Sequence, residues 1–492
     1  MQILARSACV LALLLGMQCT GAISPIHAAN YTWSGGNGVS WSNSGNWSGS
    51  VPASGATTGL IFSSAGSYAG NPNNDTASPF SLWQLTVASG APAIHLTGGG
   101  LAFSTTSQSG IFQNASTATT IDNPLSWSGS NSLALSLPGT GSLLLTGGLT
   151  TTGPGVVTKS GIGSLTFTGS NTLAGAFSAN GGTTAISSGS FGSANLTVGN
   201  TSPATLTISG SGTKVNVGNA LDVNYGATAS GSTAFLNLQG GTLSVAGAAI
   251  IGRARMDTSP ADTSAQVNQT GGLFQATGQV IIGQTGLAQS LYNVSGGTLA
   301  ASAGLTVGAQ GDGVLNISGS GNVVVSGTAG LSVGGDPSGA TSGTVDLTAG
   351  MLSIGNLILG NGGAGALVRS GGSLTASGNL VAAGAGTLVL NGSAGSVATY
   401  FAGKLTNCAG GSLVVIPQTG QPSGNEALTF GQSSALTDNI LGTWDVRQLS
   451  GTSSQGDYLT LAGTTAPYSL ATANYSSTNF NTSSGRDKGG KR

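Results

Sequence analysis

Trp33, Trp41 and Trp47 are the residues of this chain best suited to holding a ligand. They stand eight and six residues apart among serines and asparagines, a spacing that fits strand, turn and strand. Flat aromatic faces beside short polar side chains stack on sugar rings, so this segment is a candidate glycan-binding end. The same rings would also serve as an apolar plug closing a solenoid. Acid–base chemistry has less to work with. Past residue 29 there is one histidine, His95, in Ala93-Ile94-His95-Leu96-Thr97, and its alternation with apolar residues reads as a strand position. Zinc needs converging His or Cys ligands, and Cys408 is the one cysteine past residue 29. Gly153–Ser160 approaches a phosphate-binding loop, but Thr158 stands where that loop needs a glycine.

A polysaccharide lyase or hydrolase needs clustered carboxylates, or several aspartates on calcium beside an Arg or Lys base. Here Glu426 is the single glutamate and the aspartates are scattered. The one local charge cluster, Arg253, Arg255, Asp257 and Asp262, reads either as a solvated loop with loose ion pairs or as a ligand site. Asp312, in Gly308–Gly313, is a lone copy of a calcium-type glycine repeat. These residues predict no catalytic group, no metal and no cofactor.

The elements that must position such residues follow from composition. The chain has 492 residues, 86 of them Gly, and 5% are charged, against roughly 25% in an ordinary soluble domain. A net charge of −1 gives no basic face for nucleic acid. Residues 1–29 carry Arg6, the apolar run Ala8–Met17 and a small-residue exit at His27-Ala28-Ala29. That is the pattern of a secretory signal peptide, and the run is too short for a bilayer span. The sequence therefore predicts an exported chain, extracellular or at the cell surface, with no transmembrane anchor. With Cys9 and Cys19 in the leader, no disulfide remains to staple the fold.

Internal repeats select the architecture. From about residue 204 to 390 an apolar–Asn–apolar triplet is followed by a Gly pair, a short apolar strand and a closing Gly. Leu236-Asn237-Leu238 leads to Gly240-Gly241 and Gly252. Val267-Asn268-Gln269 leads to Gly271-Gly272 and Gly283, and Tyr292-Asn293-Val294 to Gly296-Gly297 and Gly308. Leu315-Asn316-Ile317 and Val345-Asp346-Leu347 open weaker copies. Constant blocks separated by variable intervals describe a solenoid whose loops absorb insertions. Within each block the apolar residues alternate, as strands require, so the asparagines should face outward and stack about 4.8 Å apart as an amide ladder. The prediction is all-β: a right-handed parallel β-helix with N- and C-terminal caps, about 15–22 coils long at roughly 20–30 residues each. It divides into a signal peptide at 1–29, a Trp-rich cap and first coils at 30–140, and β-helix repeats at 141–400. A C-terminal cap or post-repeat region at 401–480 and a disordered basic tail at 481–492 complete it.

Val157-Thr158-Lys159-Ser160-Gly161-Ile162-Gly163-Ser164-Leu165-Thr166-Phe167-Thr168-Gly169-Ser170-Asn171-Thr172 resembles the bacterial autotransporter-associated β-strand repeat. Thr32-Trp33-Ser34-Gly35-Gly36 with Trp41, Asn46-Trp47 and Pro52 is similar to the N-terminal signature of exported proteins that carry it. The resemblance implies a noncatalytic passenger-type β-helix acting as a structural or adhesive protein of the surface or envelope. It differs at its end, where Lys491-Arg492 stands in place of a membrane barrel with an aromatic last residue. Free secretion, retention by a partner and a truncated passenger are the expectations that follow. A polysaccharide-binding or polysaccharide-degrading β-helix is the alternative. Extracellular glycans and envelope or matrix components are the expected partners.

Overall fold

The computed structural model describes residues 29–105, 108–225, 233–253, 264–335, 341–390, 399–407, 412–417, 428–432, 445–448, 456–462 and 468–472. Residues 1–28 of the expected leader, Cys408, Glu426 and the basic tail lie outside them. The first strand, Ala29–Trp33, begins at the last residue assigned to the leader.

Three parallel sheets stack into a β-solenoid. One turn runs through Val156–Ser160 in sheet I, Ser164–Phe167 in sheet II and Asn171–Leu173 in sheet III, then re-enters sheet I at Phe177–Asn180. Each strand pairs in parallel with its counterpart one turn on, for example Leu165 with Thr184 in sheet II. Side chains alternate in and out, so each turn adds a layer to one continuous core. In sheet II that layer sequence is Leu236, Val267, Tyr292, Leu315, Val345 and Leu367, all buried. Phe167, Phe177 and Phe191 meet edge-on inside the rod at 5.2–5.7 Å between centroids.

The repeat glycines sit at the corners, and two of them show why no other residue fits. Gly272, between sheets II and III, has φ +70°, and a Cβ there would stand 2.6 Å from the carbonyl oxygen of Gly241 in the preceding turn. Gly283, after sheet I, has φ +72° and would meet the carbonyl oxygen of Asp312 at 2.6 Å. Left-handed backbone and the close approach of stacked turns each demand glycine.

Both ends of the stack are closed. At the start, the segment around Trp47 folds back on the free edge of Ala29–Trp33: Ser48 N–H donates to Thr32 O at 2.8 Å and Ser34 N–H to Asn46 O at 2.8 Å. At the far end, parallel pairing stops at Asp445–Gln448, and Gly456–Ala462 adds antiparallel to it. Tyr468–Thr472 then pairs antiparallel with both Gly456–Ala462 and Leu428–Phe430. An antiparallel hairpin spends the donors and acceptors that a parallel edge leaves open. Along sheet I the strands from Ala29–Trp33 to Leu405–Asn407 pair in parallel over about 15 turns, at the low end of the expected coil number, and at about 4.8 Å each they make a rod of about 70 Å.

Candidate functional site

The structure buries the three tryptophans. Trp33 is 1% exposed, Trp41 0% and Trp47 4%. Trp47 meets Trp33 edge-on at 5.0 Å and Trp41 at 5.7 Å, and Trp41 packs edge-on against Phe80 at 5.5 Å. Two of the ring nitrogens donate to backbone, Trp33 Nε1 to Ser67 O and Trp47 Nε1 to Trp41 O, both at 3.0 Å, while Trp41 Nε1 is buried without a partner. A sugar-stacking platform needs an open ring face, and none of these three has one. The expected glycan site is therefore corrected to an apolar plug. Beside it the buried amide of Asn46 accepts from Asn37 N–H and donates to Ser40 O, which fixes the covering loop.

His95 does have partners. Its Nε2 lies 2.5 Å from Asp122 Oδ2, and the Thr146 hydroxyl donates to the other oxygen of Asp122. The hydrogen bond from Thr146, helped by His95, holds the Asp122 carboxyl below the usual carboxylate range. The three side chains come from successive turns, yet the order is wrong for an activated nucleophile. In a hydroxyl–His–acid relay the imidazole stands between hydroxyl and carboxylate, whereas here the carboxylate stands between the other two.

Sequence reasoning passes over one Gly-x-Ser-x-Gly run, Gly330-Leu331-Ser332-Val333-Gly334. A nucleophile elbow is a turn from strand into helix, but Ser332 lies inside the strand Leu331–Val333 of a parallel sheet. Its hydroxyl accepts from Asn361 Nδ2 at 3.0 Å. His95 is about ten turns away, on the order of 50 Å.

Of the predicted charge cluster, Arg255, Asp257 and Asp262 lie outside the described residues. Arg253 pairs instead with Asp222, at 3.3 Å, and its guanidinium stands 5.3 Å from the centre of the Tyr225 ring. Asp222 points outward but is only 8% exposed; burial holds its carboxyl above the usual carboxylate range, and Arg253 offsets only part of that rise. Asp312 accepts from the backbone and hydroxyl of Ser342 on the next turn. Among the described residues no three His, Cys, Asp or Glu side chains converge as a metal site.

Several inward-pointing polar residues have a shared role that composition does not reveal. Lys159 is fully buried, and its ammonium donates to the carbonyl oxygens of Gly161 (2.8 Å) and Gly163 (2.6 Å) in its own turn and of Gly181 (2.5 Å) in the next. Burial pushes Lys159 down to about 8, while three carbonyls replace the water it has lost, so it stays charged at neutral pH. Gln269 donates to Gly272 O and Thr298 O, and Arg369 to Gly372 O and Thr399 Oγ1. Each clamps a corner of one turn to the next. In the same repeat as Lys159, Asn171 is buried, accepts from Leu149 N–H at 3.0 Å and donates to Gly169 O at 2.8 Å. The signal for Lys159 was its place in the alternation: Val157 and Lys159 share the core face.

The outward asparagines form the expected ladder. Asn268 Nδ2 donates to Asn237 Oδ1 at 3.0 Å, Asn293 to Asn268 at 2.9 Å, and Asn316 to Asn293 at 2.9 Å. All run in one direction, and Asn316 Oδ1 is left facing the next rung, Asp346. Burial pushes the Asp346 carboxyl up.

Fold and side-chain contacts together define a class: an all-β, three-sheet parallel solenoid in which several buried polar side chains join one turn to the next. Compared with known proteins, no family model, no curated protein and no solved structure matches the chain. Among the described residues no helix is long and apolar enough to cross a membrane.

Proposed function

We propose that this chain is an exported, noncatalytic β-helical rod acting at or outside the cell surface as a structural or adhesive protein of passenger type. The supporting observation is how its polar groups are used. Lys159, Gln269, Arg369, Asn171 and the asparagines from Asn237 to Asn316 all bond between or within turns. Groups committed to cross-turn bonds make a stiff spacer without disulfides, which suits reach and presentation outside a cell. The export half of the reading rests on residues 1–29 and the repeat resemblance. The test is to recover the protein from the medium and the outer surface of intact cells and sequence its N-terminus. The reading expects a start close to Ala29 or Asn30 and digestion by protease added to whole cells. A chain kept inside the cell with Met1–Ala29 intact would overturn it.

A further inference from the structure

On sheet III, the outward positions form one unbroken register column. Ala102 lies beside Ser126, Ser126 beside Thr150, Thr150 beside Thr172, and Thr172 beside Gly192. Gly192 then lies beside Asn216, Asn216 beside Ser244, and Ser244 beside Gln275. Two cavities open on this column. The first, about 260 Å³, is lined by Ser126, Ser128, Thr150 and Thr152 with Trp127. The second, about 240 Å³, is lined by Asn216, Ser244, Gln275 and Thr277. Between them the column carries only Thr172 and Gly192, and a Cβ built on Gly192 would meet nothing closer than 4.0 Å. The two open recesses thus lie on one trough-like face of the rod, with centres five turns or about 24 Å apart.

The lining identifies the class of occupant. The first cavity presents hydroxyls beside the apolar Ala102 and Phe103, the second presents hydroxyls and amides beside Val217, Val245 and Ala246, and no residue lining either is charged. Lys214 stands on the same face near the second cavity without lining it. At the first cavity, Trp127 is 3% exposed and its Nε1 is a buried donor with no hydrogen-bond partner. A site without charge gives no attraction to a polyanion, while closely spaced hydroxyl and amide groups match a chain of sugar hydroxyls. The turn spacing of about 4.8 Å is close to the length of one pyranose in an extended glycan.

We propose that this trough binds a neutral, linear polysaccharide laid parallel to the rod axis, with one segment in each cavity. The inference rests on the surface-rod reading and names its partner. A glycan long enough to bridge about five turns engages both cavities at once, so its second contact is intramolecular and its affinity rises steeply with length.

The experiment is calorimetric titration of the full chain with neutral β-1,4-glucan, xylan, mannan and α-1,4-glucan hexasaccharides, and with the matching disaccharides. At least one hexasaccharide should bind ten-fold or more tighter than its disaccharide, with little dependence on salt. Thr150→Trp fills the first cavity and Ser244→Trp the second; each should return the hexasaccharide to disaccharide affinity. Gln275→Ala, an exposed truncation that leaves packing alone, should weaken binding several-fold at unchanged melting temperature. The proposal is overturned if no neutral hexasaccharide binds at millimolar concentration, or if binding survives both filling variants in folded protein. Tighter, salt-sensitive binding of an oligogalacturonate hexamer would overturn it too, as the wrong charge class. None of these outcomes touches the surface location, which N-terminal sequencing and protease digestion decide separately.

Discussion

Replacing Asp346 with Asn should stabilise the rod at neutral pH. In the ladder from Asn237 to Asn316 each amide after the first donates to the one a turn earlier. At Asn316 that order meets a carboxyl in register, which as an anion offers acceptors to an acceptor, and no hydrogen bond joins the two. Asp346→Asn supplies the missing donor on the same backbone. One further amide hydrogen bond contributes about 0.5–1.5 kcal/mol, and the half-exposed position favours the lower part of that range, about 0.5–1 kcal/mol. Removing a partly buried charge acts in the same direction. The pH dependence has a definite sign. Burial raises the Asp346 carboxyl in the folded state, so folding favours its protonation. Its contribution therefore improves as pH falls through the raised value toward the unfolded carboxylate range, and is lost again as pH rises through it. A protonated Asp346 can also donate to Asn316 Oδ1 as an asparagine would. Urea unfolding at pH 7 and pH 4 should show the Asn variant more stable at pH 7 and the gap narrowing at pH 4. Amide exchange should slow in the strands Gly311–Ile317 and Ser342–Leu347. A neutral or destabilising effect at pH 7, or an equal gain at both pH values, would refute the ladder reasoning.

Other substitutions probe the remaining joints. Trp47→Ala removes the ring that contacts both Trp33 and Trp41, and should cost about 3–5 kcal/mol, seen as loss of exchange protection in the first turns. Lys159→Met strands the carbonyls of Gly161, Gly163 and Gly181. It should cost about 2–4 kcal/mol, with proteolysis beginning near those corners rather than at the ends. Gly272→Ala forces a side chain into left-handed backbone against Gly241 O and should cost at least about 2 kcal/mol by denaturant unfolding.

How much of this could be read from sequence depended on whether the residue type has one structural use or several. The paired glycines have one use. Gly241, Gly272 and Gly297 all have φ close to +70°, so their recurrence gave the corner, and the constant blocks between corners gave the strands. The outward ladder followed from alternation and was found where alternation placed it. Tryptophan has two uses. A stacking face and a core plug have the same composition, and only the fold-back of the Trp47 segment onto Ala29–Trp33 decides between them. Arg253 illustrates a different gap: its partner Asp222 is one turn earlier, 31 residues away, while the charges nearest in sequence suggested a local cluster. The sheet III trough escaped notice because Ser126, Thr150, Asn216, Ser244 and Gln275 are unremarkable singly and meet only through the stacking register.

The central claim is that this rod holds or spans without turning anything over. The most direct test incubates the purified full chain with neutral and acidic polysaccharides, with and without calcium, and measures newly formed reducing ends and unsaturated sugars. The account predicts neither product above the level of buffer alone. Steady release of either, abolished by substituting a single Asp or Ser in folded protein, would contradict it.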